Sequence, residues 1–226
     1  MGRRIGGAGG GSDPGGGISG PVVVAAVAGV VALGGAGIAG LEGGAASTGA
    51  GESLSGQNLS TRKAEGQKSA RKGNSRQAWE RMGMRELKKI AKQDLTCVAY
   101  SHGQVREFFL HTPCTSLDRI VFAVEDGHGN SLLVSVEWVG FRTKTQATEF
   151  KRVEDTPDSG DITPLGGSLL ATADVHFSGN HYKSRLDGKT VVIAETETAA
   201  GKFSNTVLDA VADVAVYLPD IEHAKR

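Results

Sequence analysis

Three groups of residues in this chain could do chemistry: six histidines, two cysteines and one dense acidic loop. His102, His111, His128, His176, His181 and His223 form neither an HExxH motif nor another regular metal spacing. His176 and His181 flank a strand-to-turn corner where an acid could complete a metal site, although histidines in surface turns are common. Glu154, Asp155, Asp158 and Asp161 crowd a loop with Pro and Gly where calcium could bind, but their spacing is not that of an EF-hand, and a solvated acidic loop is the better reading. Tyr182, Lys183 and Arg185 make a cationic-aromatic turn that either grips an anion or serves as an ordinary hairpin. There is no GxSxG and no Walker loop, and Gly166-Gly167 lacks the strand–glycine–helix order that phosphate cradles need. No catalytic residue, cofactor ligand or metal ligand is assigned. An enzymatic reading would need the acidic loop 154–161 and the 176–185 hairpin to meet in one pocket with displaced pKa values.

Cys97 and Cys114 are the only cysteines, and no CxxC is present. In an exported domain the default reading of such a pair is a disulfide, worth on the order of 3 kcal/mol for a loop of this size. In a cytoplasmic domain the same pair would be two buried thiols.

The compartment follows from the stretch Pro21–Leu41, PVVVAAVAGVVALGGAGIAGL, which lies in a charge-free run from Pro14 to Leu41. It is long enough for a helix to cross the hydrocarbon core. It is weakly hydrophobic, rich in Val, Ala and Gly, and has no Trp or Tyr at its ends. A cleaved signal peptide is the competing reading, but the polar lead is long for an n-region and the apolar run long for an h-region. Either reading sends the downstream domain out of the cytoplasm. Arg3 and Arg4 precede the span, and only Glu42 and Glu52 carry charge between Leu41 and Arg62, so the positive-inside rule places the N-terminus in the cytoplasm. Ala28, Ala32, Ala36 and Gly40 recur every four residues, a spacing that allows self-association of two such helices.

A formal net charge of zero conceals a dipolar chain. Eleven Lys/Arg and three Glu fall between Arg62 and Lys92, whereas the rest of the chain from Gln93 carries twelve Lys/Arg and nineteen Asp/Glu. The basic block suits an anionic envelope surface or a protein partner; nucleic acid fits only a domain kept in the cytoplasm.

Elements are placed by periodicity. Residues 1–20 are too poor in apolar groups to fold, and 42–73 read as a Gly/Ser/Ala tether. Asn74 or Ser75 caps a basic amphipathic helix with Trp79, Met82, Leu87 and Ile90 on its apolar stripe. Strands are expected at 95–101, 119–126, 132–141, 173–179 and 189–196, and helices at 104–110, at 143–153 and from Ser204. This order predicts an α+β domain over 74–226: an antiparallel sheet with helices on one face, a ferredoxin-like variant.

The runs AWERMGMRELKK, YSHGQVREFFLHTPCTSLDR, VSVEWV, DITPLGG and HYKSRLDGKTVVIAE resemble uncharacterised actinobacterial proteins with an N-terminal apolar segment and one small domain. The resemblance covers about residues 75–218 and implies no activity and no site residue. The expectation is a single-pass membrane protein with an extracytoplasmic, non-enzymatic binding domain and no cofactor.

Overall fold

A computed structural model describes residues 56–166 and 175–221. The expected membrane span, Pro21–Leu41, lies outside them, and no helix among the described residues is long and apolar enough to cross a membrane. The architecture is α+β, built on a five-stranded antiparallel sheet.

At the centre of the sheet are the two apolar strands β2 (Ser116–Glu125) and β3 (Ser131–Gly140). They form a hairpin in register from Ser116 opposite Gly140 to Glu125 opposite Ser131. Its connection turns at Gly127 and Gly129, both at positive φ, where a side chain would be strained. The Asp126 carboxylate fixes this turn by accepting from His128 N at 2.8 Å and from the Asn130 side chain at 2.7 Å. Strand β1 (Arg85–Asp94) pairs outside β2, β5 (Thr190–Ala200) outside β3, and β4 (Tyr182–Asp187) forms the far edge, giving the order β1-β2-β3-β5-β4.

Both faces of the sheet are covered. On one, Ile120, Phe122, Val134, Val136, Trp138 and Ala194 pack under α1 (Gly56–Arg71), α2 (Ser75–Arg81) and α5 (Asn205–Ala215). On the other, Leu117, Val139, Val191 and Ile193 pack under α3 (Gly103–His111) and α4 (Lys144–Glu154), where Phe108, Phe109, Phe141 and Phe150 form a ring cluster. A third patch, Val121, Ala123 and Leu133, is covered by Leu165, Val175 and Phe177. The one-faced, ferredoxin-like arrangement is therefore corrected to a sheet covered on both sides, with its strands in a different order. The physical reason is that β2, β3 and β5 bury both of their alternating faces, so each face needs a cover.

Four further expectations change. The second half of the anticipated tether is helix α1. Its composition is polar, but Leu59, Gly66, Ser69 and Ala70 make a narrow buried stripe, with Gly66 close against Val214. Lys63 Nζ to Asp213 Oδ2 at 3.1 Å and Gln67 Nε2 to the Asp213 carbonyl at 3.1 Å fix it to α5. The single basic helix expected from Asn74 is broken after Arg81. Asn74 does cap α2, accepting from Gln77 N at 3.0 Å, but Gly83 at φ 77 turns the chain and residues 85–94 become β1. Tertiary pairing with β2 overrides helical propensity there. Residues 97–100, expected in a strand, form a 3₁₀ turn. Lastly, the strand beside β5 is Tyr182–Asp187, which the sequence suggested was a connector, while residues 175–178 are irregular.

Candidate functional site

A row of polar side chains crosses the sheet on the face covered by α3 and α4. Because opposite residues in an antiparallel ladder share a face, the register places Arg119 of β2 beside Glu137 of β3, Ser135 of β3 beside Glu195 of β5, and Glu195 beside Tyr182 of β4. Arg119, Ser135, Glu137 and Glu195 are all buried.

Arg119 closes the β1 end of the row. Its Nη2 donates to Asp94 Oδ2 at 2.9 Å, its Nη1 donates to the Thr163 carbonyl at 2.9 Å, and its guanidinium lies 3.9 Å over the Tyr100 ring. The cation thus ties β1, the 3₁₀ turn and the loop after α4 to the sheet. Glu137, 1% exposed, accepts from the Ser135 hydroxyl. Burial, with a lesser contribution from the nearby Asp161 carboxyl, pushes its pKa up to about 8 against the opposing pull of Ser135 and Arg119. At neutral pH, Glu137 is therefore mostly a neutral acid in the middle of the sheet.

The acidic loop supplies the cover. Asp161 is buried and accepts from Ile162 N at 2.8 Å, while its carbonyl accepts from His102 N. The Ser159 carbonyl accepts from Gln104 N and Val105 N at the start of α3. The backbones approach so closely that a Cβ on Gly160, at φ 98, would stand 2.1 Å from the His102 carbonyl oxygen. At the other end of the row, Tyr182 Oη donates to Asp155 Oδ1 at 2.9 Å, and the Ser184 hydroxyl donates to the same oxygen. Burial works against the Asp155 carboxylate, but donors from Lys151, Ser184 and Tyr182 outweigh it and hold its pKa below the usual range. Burial pushes the Tyr182 phenol well up, reinforced by Glu154 and Asp155.

The acidic loop and the hairpin do meet, through Asp155, Tyr182 and Ser184. Of the other sequence candidates, His181 Nδ1 lies 2.8 Å from Asp209 Oδ1 of α5, Lys183 pairs with Asp213 at 3.0 Å, and Arg185 donates to the Val216 carbonyl at 2.8 Å. Asp158 stands at positive φ in an exposed turn. Among the described residues no three His, Cys, Asp or Glu side chains are grouped to hold a metal. Cys97 and Cys114 are joined, with Cα atoms 6.1 Å apart, fastening the 3₁₀ turn to the chain just beyond α3.

Two clefts open elsewhere. One, of about 530 Å³, lies between Arg71, Lys72, Trp138, Thr190 and Leu218; the other, of about 280 Å³, lies between Glu107, Phe108, His111 and Val153. Neither includes a residue of the polar row, so the row is a proton-holding, loop-clamping network without access to these spaces. Sequence reasoning missed Arg119, Ser135, Glu137 and Glu195. The available signal was polar residues in mid-strand at matching positions of three apolar strands.

No protein-family model, curated protein or solved structure matches the chain. By its architecture the described part of the chain is an α+β domain built on a five-stranded antiparallel sheet.

Proposed function

We propose that the chain is a single-pass membrane protein whose domain works outside the cytoplasm as a non-enzymatic binding or interaction module. The lipid bilayer is its first partner, through Pro21–Leu41. The Cys97–Cys114 pairing is the observation that carries this reading, because a structural disulfide persists in an oxidising compartment. The charge-free run Pro14–Leu41 supplies the route there. The enzymatic alternative has one observation in its favour, the contact of Asp155 with Tyr182 and Ser184. That contact joins α4 to β4 as a fastening, and neither of the two clefts is lined by Asp155, Tyr182 or Ser184, so among the described residues no substrate space adjoins these hydroxyls.

The test is thiol labelling of intact, unreduced cells. Cys97 and Cys114 should resist labelling before and after lysis and react only once reduced. A pair that reacts on lysis without reductant would show two cytoplasmic thiols and overturn the proposal.

A further inference from the structure

The ten residues of β1 form one exposed rim of the sheet, paired to β2 on one side only. Arg85, Lys88, Lys89 and Lys92 are exposed along this rim. Its two acids are turned inward: Glu86 accepts from the Ser75 hydroxyl at 3.1 Å, and Asp94 is held by Arg119. The register puts Lys88 and Lys92 on the α3/α4 face, opposite Ala123 and Arg119, and Lys89 on the α1/α2 face, opposite Phe122. Both flanks of the rim are therefore cationic. Two large aliphatic side chains stand out among these charges, Leu87 at 49% exposure and Leu95 at 87%.

We infer that this rim rests on the anionic headgroups of the bilayer, with Lys88, Lys89 and Lys92 against phosphate and Leu87 and Leu95 dipping below them. The inference rests on the anchoring reading above. Residues 42–55 separate Leu41 from the start of α1 at Gly56 and, even fully extended, span no more than about 50 Å, so the domain stays near the surface it would touch. A second copy is a poor occupant, because edge-to-edge pairing would set lysines against lysines. An extended acidic peptide is disfavoured by the bulge at Leu87, which interrupts the row of backbone groups that a templated strand requires.

Each lysine near an anionic surface contributes roughly fivefold to affinity, so Lys88→Gln, Lys89→Gln and Lys92→Gln together should weaken the contact about a hundredfold. The test uses the full chain reconstituted in vesicles of phosphatidylcholine, with or without phosphatidylglycerol, followed by amide hydrogen exchange. Exchange of residues 85–95 should slow on phosphatidylglycerol only, and both high salt and the triple Gln variant should restore it. Equal exchange on both vesicles, with the chain resistant to alkaline extraction, would overturn the lipid contact while leaving the anchor intact. If alkali extracts the chain, the anchor fails. The extracted chain must then sediment with phosphatidylglycerol vesicles from solution, or the contact fails as well. Stronger protection by soluble polyglutamate than by vesicles would assign the rim to a protein partner and overturn the proposal.

Discussion

Replacing Glu137 by Gln tests the buried polar row directly. In the unfolded chain this carboxyl titrates near 4.5, whereas in the folded sheet its pKa rises to about 8 because burial disfavours the charge. Between those values the folded state holds a proton that the unfolded state has released. The acid therefore costs stability increasingly as pH rises, and the loss levels off above the folded value. At about 1.4 kcal/mol per pKa unit, the full window is worth roughly 5 kcal/mol, of which roughly 4 falls between about pH 5 and pH 8. Gln has nearly the same shape, can still bond Ser135, and never ionises. Its own packing cost is the same at every pH, and every other titratable group is common to both proteins. The quantity to measure is the difference in urea-unfolding free energy, Glu137→Gln minus wild type, which should climb by roughly 4 kcal/mol over that range. A difference that does not change with pH would refute the placement of a neutral carboxyl at the centre of the sheet.

Asp155 should behave with the opposite sign. Its donors depress its folded pKa, so it stabilises above the usual carboxylate range and loses that contribution in acid; Asp155→Asn should flatten the acid limb of the same urea curves. Arg119→Met leaves Asp94 and the Thr163 carbonyl without their buried cation and should cost about 3–5 kcal/mol in chemical denaturation. Paired Cys97→Ser and Cys114→Ser substitutions should lower stability by about 3 kcal/mol, read as a reduced melting temperature that reductant no longer changes. Gly160→Ala meets both a positive φ and the His102 carbonyl; it should cost at least about 1 kcal/mol and speed amide exchange at Gln104 and Val105, whose donors grip that loop.

The parts legible from sequence were those whose local pattern agrees with their packing. The β2–β3 hairpin around Asp126–Asn130, the capped helices α4 and α5, and the Cys97–Cys114 pair all carry their instructions within a short stretch. Strand β1 was misread because RELKKIAKQD has neither strand alternation nor a strong apolar face. Its conformation is imposed by β2, a partner some 30 residues away in sequence. Helix α1 was hidden for the converse reason: small residues such as Gly66 and Ala70 bury well but look like linker composition. The polar row was missed because its one signal, polar residues in the middle of apolar strands, looks ordinary in each strand alone, and only the register of β2, β3 and β5 makes them neighbours.

The charge asymmetry seen in the sequence acquires a spatial meaning once the elements are placed. The basic block of residues 62–92 becomes α1, α2 and β1, and part of it serves as fastening. Lys63 holds Asp213 of α5, Lys68 holds Glu65, Arg85 holds Glu125, and Arg71 stacks 3.8 Å over Tyr217. Lys63 and Arg71 thereby dock α1 on α5 and the turn after it, Lys68 is paired within α1, and Arg85 closes the β1–β2 end, so these four cations are accounted for. Lys89 Nζ also lies 5.7 Å over the Phe122 ring, but these contacts do not account for Lys92 at the outer rim, and protecting an edge strand from pairing does not require the exposed Leu87 and Leu95 beside it. An edge kept only for solubility would gain from replacing those leucines with polar residues. Leu87→Ser with Leu95→Ser should therefore leave urea stability within about 0.5 kcal/mol of wild type. If the rim is a surface contact, the same pair should abolish protection of residues 85–95 on phosphatidylglycerol vesicles.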